Sequence, residues 1–135
     1  MKQPVYFITV CVAKRRSLLA TSTAHDILFD EWHGLHERYR WAIGRYIVMP
    51  DHVHFFIASG LDEVKPLSLV IGKWKEWTAK RILALANGEA PLWQPEFFDH
   101  LLRSEESRSA KWSYIRENPV HAGLVTQAEG LTLAG

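Results

Sequence analysis

A single cysteine, Cys11, is all the thiol chemistry the chain carries. One cysteine excludes a disulfide within the chain and any cysteine-cluster zinc site. It lies inside an apolar run, so a buried strand thiol is expected rather than a nucleophile, which needs a nearby base and partial exposure. Long hydrophobic runs are also missing. Nothing approaches the ~20 apolar residues that span a bilayer, and the N-terminus lacks a signal-peptide core. A cytoplasmic protein with no membrane partner is expected. There is no G-x-x-x-x-G-K-[ST] loop to cradle a nucleoside triphosphate and no H-E-x-x-H helix of a zinc hydrolase. An excess of one charge is absent too: the net charge is +1. The chain as a whole is therefore no electrostatic adhesive for nucleic acid.

What is present fits one globular domain over residues 1–135, 47% hydrophobic and 23% charged,. Residues 126–135 show no strong pattern and are expected to form a loose tail. Aromatics are plentiful, with six tryptophans. Some rings must fill the core, and others could stack on bases. Charge is unevenly placed. Lys14, Arg15 and Arg16 are consecutive, and Lys65, Lys73, Lys75, Lys80 and Arg81 face one acid in that stretch, Glu76. Such a stretch is either a phosphate-binding face or a solvated helix face.

Local patterns set the element order. Pro4 to Ala13 is rich in β-branched and aromatic residues and reads as a strand,. Thr23 with Asp26 resembles a helix start, and Leu28, Trp32, Leu35 and Tyr39 recur at helical spacing, so a helix is expected over 22–39,. Trp41 to Met49 and His52 to Ala58 read as strands separated by Pro50-Asp51,. A second helix is expected over 68–87, with Leu67, Ile71, Trp74, Thr78, Ile82 and Leu85 on its apolar stripe,. Trp74, and by extension Trp77, are expected in the core. Phe97 to Leu102 is either a short strand or part of a turn. A last helix is expected from Glu105 to Asn118, ended by Pro119,. This order predicts an α+β fold, an antiparallel sheet with helices packed on one face.

The chemistry-bearing residues lie late in this order. His52 and His54 are two apart in an expected strand, so both point to one face. They are either a solvated pair or two imidazoles converging on one ion. Their setting in the hydrophobic run Tyr46 to Ile57 favours a partnered role, because unpaired polar rings are costly there,. Tyr114 and Asn118 are i and i+4 on the last helix and share a face. Tyr114 is either a core ring with a wet hydroxyl or a presented phenol. Asn118 is either a helix-end residue or an oxygen donor. Asp51 either makes the turn or orients a histidine from behind. His25, His33 and His36 read as surface residues of the first helix.

The run Tyr46-Ile-Val-Met-Pro-Asp-His-Val-His-Phe-Phe-Ile57 resembles the histidine-hydrophobic-histidine (HUH) signature of single-strand tyrosine transposases. Tyr114-Ile-Arg-Glu-Asn-Pro-Val-His-Ala-Gly-Leu-Val125 is similar to the tyrosine helix of the REP-associated branch of that family. Shorter matches at residues 6–20, 93–95 and 97–100 follow in order, so the resemblance covers about Val5 to Val125. It implies a ferredoxin-like or RRM-like fold in which His52, His54 and Asn118 bind magnesium or manganese and Tyr114 attacks DNA. It implies cleavage and rejoining of single-stranded DNA with hairpin ends through a 5′-phosphotyrosine, by one chain or by a homodimer. Arg15, Arg16, Lys73, Lys75, Lys80, Arg81, Arg103 and Arg116 are the candidate DNA contacts, with the basic second helix as a groove wall. Two other readings stand beside this one: a domesticated single-strand-binding module of the same fold without chemistry, and a metalloenzyme that does not act on DNA.

Overall fold

A computed structural model describes residues 4–59, 64–86, 88–102 and 104–121, with 115–121 described for their backbone only. Strand β1 (Val5–Cys11) leads through a short 3-10 turn to helix α1 (Ser22–Tyr39). Strands β2 (Trp41–Met49) and β3 (His52–Ser59) form a hairpin, followed by helix α2 (Leu67–Ala86). Strand β4 (Phe98–Leu102) and helix α3 (Glu105–His121) complete the fold. The sheet is antiparallel throughout, in the order β2-β3-β1-β4.

Helix starts and strand ends follow local chemistry. Thr21, not Thr23, caps α1: its Oγ1 accepts from the Ala24 amide at 3.1 Å, which satisfies one of the donors every helix start leaves open. Arg40, at φ 61°, ends α1 in the left-handed region while its amide donates to His36,. The expected stop at Pro119 does not occur, and α3 runs on to His121.

The sheet has two covered faces. On one, Ile8, Val10, Val53, Phe55 and Ile57 meet Trp32 and Leu35 of α1 and Val70, Ile71 and Trp74 of α2. Trp32 stacks on Trp74 at 5.4 Å and 6°, and Trp74 stacks on Trp93 at 5.3 Å. The expected packing of helices on one face holds for α1 and α2. Helix α3 crosses the opposite face, where Trp112 packs with Phe7, Ile47, Met49, Phe56 and Leu102. Two residues expected inside are outside: Trp77 is 45% exposed and Leu85 63% exposed. Both lie beyond the edge of the α2 stripe that α1 and the sheet cover.

β2 contains a bulge. Ile43 pairs with Ile57 and Tyr46 with Phe55, so Gly44 and Arg45 together oppose Phe56,. The extra residue switches the alternation. Trp41, Ile43, Tyr46 and Val48 all face the α1/α2 core, whereas Ile47 and Met49 face α3. A regular strand would have sent Ile47 and Met49 to the same side as Trp41.

Thr78 ties this core together. It is fully buried, donates to the Trp74 carbonyl at 2.7 Å and accepts from Trp93 Nε1 at 2.9 Å. Thr78→Val keeps the shape but strands a buried indole N–H, so it should cost about 1–3 kcal/mol, read from the urea midpoint.

Candidate active site

Strand pairing brings the two histidines onto the face that α3 crosses. His52 lies opposite Cys11 and Met49, and His54 opposite Thr9 and Ile47. Their ring centroids are 4.9 Å apart, edge to face. Val53, between them, is fully buried on the other side.

Each imidazole is held from behind. His54 Nδ1 is 2.9 Å from Thr9 Oγ1, and its ring stacks on Phe7 at 5.3 Å and 21°. His52 Nδ1 is 2.8 Å from Asp51 Oδ1, and Arg15 Nε donates to the other carboxylate oxygen at 2.9 Å. An Arg15 terminal nitrogen also comes within 3.4 Å of His52 Nδ1. A carboxylate can only accept, so the shorter contact decides: His52 Nδ1 carries the proton and donates to Asp51. Nε2 of His52 then keeps a lone pair. The same tautomer of His54, with Nδ1–H donating to Thr9, frees its Nε2 as well.

Electrostatics favour a neutral His54 ring. Burial, then the neighbouring His52 and Lys111, push the His54 pKa from 6.5 down to about 3. Burial would raise the Asp51 carboxyl, but hydrogen bonds from Arg15 and His52 outweigh it and hold the group below its ordinary value. The Arg15 loop is unusual in its backbone, with Lys14 and Arg15 at φ 59° and 54°, both left-handed,. Arg15 reaches Asp51 from this loop.

Helix α3 reaches this face through Trp112 and Lys111 among its described side chains. Trp112 is buried in the cluster with Phe7, and Lys111 Nζ lies 4.8 Å over the Phe7 ring that stacks on His54. Tyr114 follows Lys111 by three positions, so the two share a helix stripe. Tyr114 is 70% exposed, a presented phenol rather than a core ring. The side chains of Asn118 and Arg116, and all of Arg103, lie outside the described residues.

The basic candidates divide. Arg15 is at the site through Asp51. Arg16 donates to the carbonyls of Ala13, Glu89 and Pro91, bracing the loop before β4. Lys75 does similar work on Gln94 and Pro95, and Arg81 pairs with Asp30 and Glu31 of α1. Lys73 and Lys80 both pair with Glu76. Helix α2 packs across the sheet from the histidines, so it does not form a groove wall on their face. Sequence reading missed Thr9 and Phe7. Neither carries a signal before strand pairing is known, since their partner His54 is 45 positions from Thr9.

The IS200-like transposase model matches residues 2–118, and the chain belongs to that family. It is 29% identical over 129 residues to the REP-associated tyrosine transposase of Escherichia coli (strain K12), a match that spans 94% of this chain and 73% of that protein. It also superposes on a REP-associated tyrosine transposase solved with a REP hairpin bound, at TM-score 0.73 and 25% identity over 95% of this chain and 73% of that one. A crystal structure from Deinococcus radiodurans R1, at TM-score 0.63 and 19% identity over 87% of this chain and 92% of that one, shows the same fold. The chain is thus a transposase of the IS200/REP-associated type with a ferredoxin-like HUH fold. No described helix is long and apolar enough to cross a membrane.

The depressed His54 pKa has a pH consequence. Between about pH 3 and 6.5 the unfolded chain binds a proton that folded His54 refuses. Stability should therefore fall as pH drops through that window. In chelator-treated protein, the His54 ring resonances should stay unshifted from pH 8 to pH 5 by NMR.

Proposed function

We propose that this chain cleaves and rejoins single-stranded DNA, with Tyr114 as the nucleophile and His52 and His54 as protein ligands of a divalent metal. The observation that carries the reading is the histidine pair on the sheet face that the tyrosine-bearing helix also covers. Two imidazoles on one face, each with Nδ1 engaged, are a donor set oriented for a cation. Among the described residues no group of three His, Cys, Asp or Glu surrounds a common point. The third protein donor in this reading is the Asn118 carbonyl. The carbonyl oxygen is the donor that suits manganese or magnesium, the imidazoles being ligands for several divalent metals. When bound, the ion supplies polarisation of a phosphate oxygen and offsets charge developing at phosphorus.

The chain's own residues do the rest. A protonated phenol is a weak nucleophile, so the Tyr114 hydroxyl must lose its proton as it attacks. Lys111, three positions earlier on the same helix stripe, puts a cation beside the histidine face,. Attack of the phenolic oxygen on phosphorus forms a tyrosine–phosphate bond and breaks the bond to the 3′ oxygen, which leaves with a proton. A second 3′-hydroxyl can reverse the step and displace the tyrosine. No ATP is needed, because the phosphotyrosine stores the bond. The relative solved with a REP hairpin supports hairpin-ended DNA as the substrate.

Incubation with manganese and single-stranded hairpin DNA should give a covalent peptide–nucleotide at Tyr114 by mass spectrometry. Tyr114→Phe should abolish the adduct while binding persists. Persistence of the adduct in that variant rejects Tyr114, and binding without any adduct in the wild type favours the non-catalytic module. Mixing Tyr114→Phe with His54→Ala chains asks whether a homodimer shares sites: an adduct from the mixture requires two chains. Asp51→Ala should weaken manganese binding about 10–100-fold in a direct titration, through loss of the His52 orientation.

A further inference from the structure

The β2 bulge leaves a cavity of about 450 Å³ between the sheet edge and the first half of α3, lined by Gly44, Arg45, Phe56, Arg108 and Trp112 among others. Its size lies in the range of pockets for small molecules or single nucleotides, roughly 300–1,000 Å³. Phe56 and Trp112 give it an apolar floor, their rings edge to face at 6.2 Å. The rim is cationic. The Arg45 guanidinium lies 5.2 Å over the Trp112 ring, and Arg108 uses Nε on the Ser104 carbonyl, one of the five donors its fork carries. These two guanidiniums outnumber the one carboxylate on the lining, Glu105. Gly44 lines the cavity, and a Cβ there would meet Phe56 Cβ at 3.5 Å, an ordinary contact, so a larger side chain can be placed at this position to fill it.

The cavity continues the histidine face. Phe56 is two residues beyond His54 on β3 and points the same way, about 7 Å along the strand. A DNA strand held at the histidine pair would bring a neighbouring nucleotide over the opening. We propose that the cavity receives one nucleotide of single-stranded DNA flanking the reacting phosphate, its base over the apolar floor and its phosphate against Arg45 and Arg108. This rests on single-stranded DNA being the substrate. The site combines an apolar face for the base with guanidinium donors for the phosphate, the pairing that single strands require.

The test is fluorescence anisotropy in EDTA, using a hairpin-ended oligonucleotide and a set in which each flanking base is removed in turn while the sugar–phosphate remains. In the wild type one abasic position should weaken binding about tenfold more than its neighbours. Gly44→Leu should fill the cavity and erase that difference, and Ala58→Leu, filling it from β3, carries the same expectation if the first variant fails to fold. Arg45→Ala with Arg108→Ala should weaken every member of the set and flatten the salt dependence. A wild type that binds DNA with no sensitive position, or a filled cavity that keeps the sensitive position, overturns this assignment alone. Failure of the wild type to bind any member overturns the DNA reading as well.

Discussion

Strand β3 is the constraint on which the molecule turns. Successive side chains on a strand face opposite ways, so one stretch, His52 to Ile57, serves two unlike tasks. Val53, Phe55 and Ile57 are buried against α1 and α2, while His52, His54 and Phe56 face α3. The strand cannot slip by one residue without moving two imidazoles into a core of stacked tryptophans and three apolar side chains out of it. The hydrophobic load on the core side therefore holds the histidine pair in register.

A second layer orients what the strand presents. Thr9 on β1 and Asp51 in the hairpin turn occupy Nδ1 of the two rings, and Arg15 secures Asp51 from a loop of two left-handed residues. Unpaired, these polar groups would be costly near a half-buried sheet face. Paired, they choose a tautomer. Burial supplies the rest by keeping His54 neutral. The same burial leaves one ring nitrogen of His54 with a free lone pair at neutral pH,. The bulge at Gly44 and Arg45 works on the opposite edge of β3. It corrects the alternation of β2 so that both cores are filled, and it opens the space beside Phe56.

The elements of the fold were largely legible in the residues. β2 matched from Trp41 to Met49, and α1 from Ser22 to Tyr39, because periodicity and flanking residues are local signals. β3 and α2 differed only at their ends. The histidine pair was legible for the same reason, as was the family. What escaped was set by packing. Trp77 looked like a core residue and is half-exposed because α1 covers only part of α2. Arg81 and Lys75 looked like free cations and are held by α1 acids and by loop carbonyls. The placement of α3 over the second face could not be read from its own weak amphipathicity.

By itself the sequence determined the strand and helix periods, the parity that aims His52 and His54 together, and the helical stripe that carries Tyr114. Each is a matter of spacing along the chain, which local geometry converts into direction. Only the tertiary structure decided which face α3 covers, that Thr9 and Phe7 support His54, and which cations are already engaged. Those are contacts between residues tens of positions apart, and their partners are chosen by strand pairing and burial rather than by any local pattern.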